Sequence, residues 1–267
     1  MRTAMSKHQK DSKSTLKRIV AMLVICMITA IGGNVYGNEA QAATVKISAS
    51  SIKLKVGGSK KLKLKNTTKK AVWKSSNTKV ATVGKSTGKV KAQGAGSATI
   101  TATLNGKNYT CKVTVRELTA SEKLTKALNA VKKAYGDDYL PNMSMDSQYL
   151  QEMIGLDSST YDAIIGEMPM ISAHVDTIIG VHAVSGKKSQ VEAALKTYRY
   201  NQINNTFQYP SNLVKLNASE VVSVGDYVFF IMLGKINDTE ENESKLLAYY
   251  QEQNAIGINA IKKVIGN

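Results

Sequence analysis

Charge divides this chain more sharply than any motif does. Residues 44–116 carry seventeen basic side chains and no acidic one, whereas residues 117–267 carry thirteen basic and eighteen acidic ones. Adjoining stretches at +17 and −5 read as two modules with separate cores and a boundary beside Arg116. The overall +16 therefore belongs to one module and not to the chain at large. The expected division is residues 1–42, 43–116 and 117–267, and the last two are each long enough for a domain of ordinary size.

The first of these segments reads as an export signal. Arg2, Lys7, Lys10, Lys13, Lys17 and Arg18 precede a thirteen-residue apolar run at residues 19–31. As a helix this run spans about 20 Å, short of the ~30 Å hydrocarbon core and typical of a secretory h-region. Ala40-Gln41-Ala42 supplies the small-x-small pattern of a cleavage site, so cleavage is expected after Ala42. An uncleaved anchor is the alternative. Cys26 follows Ile25 rather than the small residue that lipidation requires. The expected product is a secreted protein at the cell envelope with no stable membrane span after processing. Its remaining cysteine, Cys111, alternates with Tyr109, Val113 and Val115 on one strand face and reads as a buried, inert thiol.

Residues 44–116 read as short strands. Leu and Lys alternate through Lys61-Leu62-Lys63-Leu64-Lys65, apolar and polar residues alternate from Ala98 to Leu104, and Asn105-Gly106 between two such runs signals a type I′ hairpin. Trp73, the single tryptophan, is the expected core anchor. The succession Leu54-Lys55-Val56-Gly57, Leu62, Val72-Trp73-Lys74-Ser75-Ser76-Asn77, Val80-Ala81-Thr82-Val83, Thr87-Gly88-Lys89-Val90, Ala92 and Gly94-Ala95-Gly96-Ser97-Ala98-Thr99-Ile100-Thr101-Ala102 resembles the bacterial immunoglobulin-like group 2 domain. That resemblance implies an all-β Ig-like sandwich in an envelope setting and carries no catalytic residue with it. The unneutralised lysines add a binding expectation. Lys61, Lys63 and Lys65 on one strand face, with Lys53 and Lys55 nearby, are candidate contacts to a cell-wall polyanion or polysaccharide. A solvated face with no partner is the other reading. Nucleic acid is disfavoured, because no aromatic stacking platform accompanies the lysines.

The second half carries helix and strand periods in the order α-α-β-β-α-β-β-α, which implies an α+β domain with a small, mainly antiparallel sheet. Thr119-Ala120-Ser121-Glu122 and Ser189-Gln190-Val191-Glu192 each fit a capping box, and Leu124, Leu128, Val131 and Tyr135 follow the first at helical spacing. A short helix is expected over residues 147–154, strands over residues 161–168 and 175–184, and a hairpin over residues 221–233. Residues 240–264 read as a helix with a stripe of Leu247, Tyr250, Asn254, Ile258, Ile261 and Ile265. Gly257 interrupts that stripe at a cost of about 1 kcal/mol. The stripe packs on its own sheet or meets a protein partner. Met168, residues 176–184, Val191, Leu195, Arg199, Tyr209 and Gly225-Asp226-Tyr227-Val228 resemble a family of unknown function found in small exported clostridial-type proteins. It implies a context and no reaction.

The search for chemistry yields little. His174, Asp176 and His182 fall at even spacing, but residues 174 and 182 lie about 26 Å apart on one strand, too far for one ion. Asp137 and Asp138 read as a solvated loop, and Asp238, Glu240, Glu241 and Glu243 as helix-dipole partners. There is no nucleophile elbow, phosphate loop or zinc motif, and no cofactor or metal is expected. These features describe a non-enzymatic envelope protein of binding or adhesion type. An accessory or catalytic factor in wall metabolism, with its site in the second module, is the alternative, favoured by any cleft holding a carboxylate or histidine of shifted pKa.

Overall fold

The computed structural model describes residues 43–171 and 173–266. The apolar run, Cys26 and the Ala42 cleavage site lie outside them. The described residues divide into a small unit, residues 43–46 and 65–68, and a large one, residues 47–64 and 69–266. In the small unit the Asn66 side-chain amide donates to the Thr44 carbonyl at 2.8 Å.

The strands of the first module are β1 (Lys46–Ile47), β2 (Ser51–Lys55), β3 (Ser59–Lys61), β4 (Leu64–Lys65), β5 (Val72–Ser75), β6 (Ala81–Val83), β7 (Lys89–Ala92), β8 (Gly96–Leu104) and β9 (Lys107–Arg116). Two sheets carry the sandwich, one ordered β2-β9-β8-β5 and the other β3-β7-β6. Period-two alternation buries Ala98, Ile100, Ala102 and Leu104 of β8 and Cys111, Val113 and Val115 of β9 on the inner face, as a half-buried pleated surface requires. Burial raises the Cys111 thiol pKa, which keeps it neutral and unreactive. Asn105 and Gly106 both take positive φ, 51° and 77°, and close the β8–β9 hairpin.

Trp73 is buried against the other sheet, its amide donating to the Lys85 carbonyl at 2.9 Å. Gly88 lies beneath its indole at φ +65°, where an added Cβ would stand 2.4 Å from the Leu62 carbonyl oxygen and 3.0 Å from the ring. The expected Leu–Lys strand through residues 61–65 is not continuous. Lys61 ends β3, Leu62 and Lys63 belong to no strand, and Leu62 instead donates to the Gly88 carbonyl at 2.9 Å. Burial still alternates along the stretch, so the pattern was real although the element was not.

The second module contains α1 (Ala120–Tyr135), β10 (Met143–Ser144), α2 (Ser147–Ile154), β11 (Tyr161–Met168), β12 (Thr177–Ala183), α3 (Lys188–Asn204), α4 (Pro210–Ala218), β13 (Glu220–Val224), β14 (Tyr227–Met232) and α5 (Glu243–Ile265). Its sheet is antiparallel throughout, ordered β10-β11-β12-β14-β13. One face packs Ile179, Val181, Val228 and Phe230 against α2, α3 and α4. The other packs Ile178, Phe229 and Ile231 against α1 and α5. The domain is thus a three-layer α+β sandwich.

The Thr119 capping box forms in full, its hydroxyl accepting from the Glu122 amide and the Glu122 carboxylate accepting from the Thr119 amide. The box expected at Ser189 does not form. The helix begins two residues earlier behind Lys187, which makes no side-chain cap, and the Glu192 carboxylate instead accepts from the Ser223 hydroxyl at 2.5 Å. The last helix starts at Glu243 behind an Asn242 cap rather than at residue 240. Its stripe is satisfied internally, with Ile258 and Ile261 in the core shared with α1. Gly257 is the point of close approach. Its amide donates to the Tyr135 hydroxyl at 3.2 Å, and a Cβ there would meet that oxygen at 3.0 Å.

Gly88→Ala should destabilise the first module by about 1–3 kcal/mol, since it adds both left-handed strain and a clash. Denaturant unfolding followed by tryptophan fluorescence reads this directly, because Trp73 is the only tryptophan.

Candidate functional site

The five lysines singled out from sequence do not form one row. Lys53 and Lys55 are exposed on β2, and Lys61 ends β3 in the other sheet. Lys63 is exposed between strands, and Lys65 is exposed within the small unit. Lys53 and Lys55 instead line an open groove of about 480 Å³ together with Gly58, Ser59, Thr114 and Arg116. The groove arises because β2 pairs in parallel with β9, which sets Lys53 beside Thr114 and Lys55 beside Arg116.

Two of these cations are held by the second module. Arg116 donates to both carboxylate oxygens of Glu122, at 2.7 and 2.8 Å, and the Lys55 ammonium reaches Oε1 at 2.7 Å. Glu122 is also the capping residue of α1, so one carboxylate closes a helix and clamps the junction. Arg116 and then Lys55 hold its pKa well below the usual carboxylate range. All three side chains retain substantial solvent contact, so the clamp is a geometric device more than a source of stability.

The second module contains a different kind of site. Asp176 and Lys215 are almost wholly buried, at 1% and 3% exposure, and form an ion pair at 2.7 Å. Lys215 also donates to the Gly234 carbonyl at 2.8 Å, and the Gly234 amide donates to Asp176 at 3.2 Å. Gly234 takes φ +132°, and any Cβ there would stand 2.3 Å from the Gln253 Cβ, so the two-sided backbone contact requires glycine. The buried Asn254 side chain braces the same corner, accepting from the Leu233 amide and donating to the Ala218 carbonyl, both at 2.8 Å.

This pair floors a pocket of about 140 Å³, with His174, Asn212, Asn237, Asp238 and Tyr250 among its walls. Burial pushes the Asp176 pKa up in spite of Lys215 and the Gly234 amide, and pushes the Lys215 pKa down. The Lys215 ammonium also lies 5.5 Å from the centre of the Tyr250 ring. Chemically, the pocket offers a desolvated amine and carboxylate beside an imidazole and two carboxamides. Exposed Ile236 lies in its wall, and Met170 and Ile171 are exposed in the loop leading to His174.

Of the three residues considered as metal ligands, His174 and Asp176 share the pocket and His182 does not. His174 and Asp176 precede β12, whereas His182 lies on it, accepting or donating through Nδ1 at 2.6 Å from Asp162 and stacking 4.4 Å from Tyr227. Asp137 and Asp138 sit in an exposed 3-10 turn. The sequence reading missed Glu167, a buried carboxylate that gathers Lys132 at 2.6 Å, Tyr139 at 2.8 Å and Ser144 at 3.3 Å. It also missed Lys215 and α4. Only the isolated Asp176 in an otherwise apolar stretch hinted at a buried cation to come.

Comparison with known families decides what the two modules are. Residues 33–115 match the bacterial Ig-like domain (group 2) family, and residues 134–233 match the domain of unknown function DUF4358. The chain carries a group 2 Ig-like domain followed by a DUF4358 domain. Its DUF4358 segment covers β10 to β14 and so includes both Asp176 and Lys215. No curated protein matches the chain. Among solved structures, domains 4–9 of the surface layer protein SbsC are similar at 14% identity and a TM-score of 0.23, over 73% of this chain and 27% of that one. Domains 5–6 of the same S-layer protein are similar at 15% identity and a TM-score of 0.22, over 73% of this chain and 85% of that one.

Lys215→Met should cost about 3–5 kcal/mol in denaturant unfolding, because it leaves the Asp176 carboxylate buried and unpaired. The double variant Asp176→Leu, Lys215→Met should recover most of that loss. The Glu122 clamp has a pH signature of its own. Its depressed pKa makes its contribution complete above the unfolded carboxylate value of ~4.3 and lost as pH falls through the lower folded value. The stability difference between the wild type and Glu122→Gln should therefore shrink as pH falls below about 4, as urea titrations across that range would read.

Proposed function

We propose that this is a non-enzymatic protein of the outer cell envelope, in which the Ig-like module tethers the DUF4358 module to an anionic polymer. The observation that carries this reading is the charge of the first module, with seventeen cations and no acid among residues 44–116. Such a module attracts any polyanion within a Debye length, about 10 Å at 0.1 M salt. The export signal read in residues 1–42 supports an envelope setting. Among the described residues no helix is long and apolar enough to cross a membrane, and the proposed tether is electrostatic.

The Asp176–Lys215 pocket favours a second reading, an accessory or catalytic factor in wall metabolism. Burying two charges costs several kcal/mol per ion before their attraction is counted, and these two lie at the floor of a pocket rather than inside a sealed core. Soluble wall fragments that shift the His174 imidazole resonances in NMR titration would support it. Unchanged resonances at saturating fragment would remove it.

The tether itself is tested on purified cell walls across a salt series. Retention at low salt that declines steadily as salt shortens the Debye length is the expected result. Retention that ignores salt, or none at all, overturns the reading.

A further inference from the structure

The tethering charge is not spread evenly, and the arrangement names a ligand. On the four-stranded sheet the residues that point away from the core are almost all cations or hydroxyls. Sheet register places Ser51, Lys112 and Thr99 side by side in one row, and Lys53, Thr114 and Ser97 in the next. Farther along, Lys74 of β5 stands opposite Thr101 of β8. All are exposed except Thr101, which is half-buried.

Within these rows each ammonium group stands beside hydroxyls, and the one directly opposed pair of cations among them, Lys55 and Arg116, lies at the edge, where Glu122 pairs with both. Lys53 and Lys112 are diagonal neighbours, about 7–8 Å apart. The contrast is the three-stranded sheet, where Lys61 lies directly opposite Lys89, a like-charge pair that opposes sheet formation. The two aromatics of the module, Trp73 and Tyr109, occupy inward positions, so the outer face offers no stacking platform for bases or sugar rings.

We propose that the outer face of the β2-β9-β8-β5 sheet is the binding site, and that its ligand is a polyol-phosphate or sugar-phosphate polymer. This rests on the tethering reading above. Spaced ammoniums meet phosphodiesters, and the intervening serine and threonine hydroxyls, which both donate and accept, meet the hydroxyls of the polymer between them. The groove beside Lys53, Lys55, Thr114 and Arg116 continues this face at its edge. There the polymer competes with Glu122 for Lys55 and Arg116, so those two cations contribute less than Lys53, Lys74 and Lys112.

The test measures binding of the full chain to an immobilised polyol-phosphate oligomer, with polyglutamate and single-stranded DNA of equal charge as comparators. Lys53→Ser, Lys74→Ser, Lys112→Ser removes three charges from the face. Lys61→Ser, Lys89→Ser, Lys91→Ser removes three from the other sheet. The first triple should weaken binding about tenfold or more at 0.15 M salt and the second less than threefold. Thr99→Val, Thr114→Val, which keeps every charge and suits a strand, should weaken it several-fold. Thermal unfolding confirms that each variant folds. Equal weakening by the two triples, no effect of the threonine pair, or preference for polyglutamate or DNA overturns the site while leaving the tether standing. A wild type that binds none of the three polymers overturns both.

Discussion

Strand β14 has no polar face, and the second module is arranged around that fact. Tyr227, Val228, Phe229, Phe230, Ile231 and Met232 are all buried, alternating between two cores on opposite sides of one sheet. A sheet with a wholly apolar interior strand must be covered twice. Helices α1 and α5 cover one side, and α2, α3 and α4 cover the other. Gly180 lies where the fit is closest, since a Cβ there would stand 2.7 Å from the Phe229 ring and 3.0 Å from Leu124. The polar site follows from the same constraint. Just beyond the end of β14, at Leu233 and Gly234, α4 and α5 converge from opposite layers, and the freed backbone groups need partners. Asn254 from α5 takes the Leu233 amide, while Asp176 and Lys215 take the two sides of Gly234. The ion pair thus completes the end of a strand that cannot be left open to water.

The junction between the modules turns on a single carboxylate. Glu122 completes the Thr119 capping box and accepts from Arg116 and Lys55. It stands six residues beyond Arg116, the last of the seventeen cations. A helix N-terminus favours negative charge, and the same carboxylate attracts the end of the basic module. Two of the cations are thereby paired with an acid of the second module. Residues 44–116 contain no acid of their own.

Much of the fold was legible because period survives translation into structure. Alternation at residues 98–104 and the helical spacing of Leu124, Val131 and Tyr135 each report a face that had to be buried. The expected short helix and first strand coincide with α2 and β11 residue for residue. Failures came where side chains had better offers elsewhere. Ser189 and Glu192 have the spacing of a cap, but Glu192 reaches Ser223 across the sheet edge, a contact 31 residues away that no local pattern carries. The Lys61–Lys65 alternation recorded burial correctly, yet the pairing with β7 runs out one bond past Lys61, at Gly88, whose φ of 65° turns the partner chain away. The Asp176–Lys215 pair joins residues 39 apart on different elements. Sequence shows such a pair only as an isolated acid, and Lys215 lies in a nine-residue helix with no side-chain cap to announce it.

The two modules solve opposite electrostatic problems, and this is why their order makes physical sense. In the DUF4358 module charge is gathered inward where the fold needs it. Asp176, Lys215 and Glu167 are buried with satisfied partners, and among the described residues no buried side-chain nitrogen or oxygen lacks a hydrogen bond. The Ig-like module instead keeps a core free of charge and carries all of its cations outward, accepting mutual repulsion that its apolar interior must outweigh. Repulsion of that kind is relieved by an external anion and by nothing within the module. A sandwich whose sheets already hold the chain together can carry a surface under electrostatic stress, whereas the DUF4358 module, with polar groups at a strand end, depends on local neutrality. Placing the stressed surface on a separate domain keeps the proposed polyanion contact away from the buried Asp176–Lys215 pair.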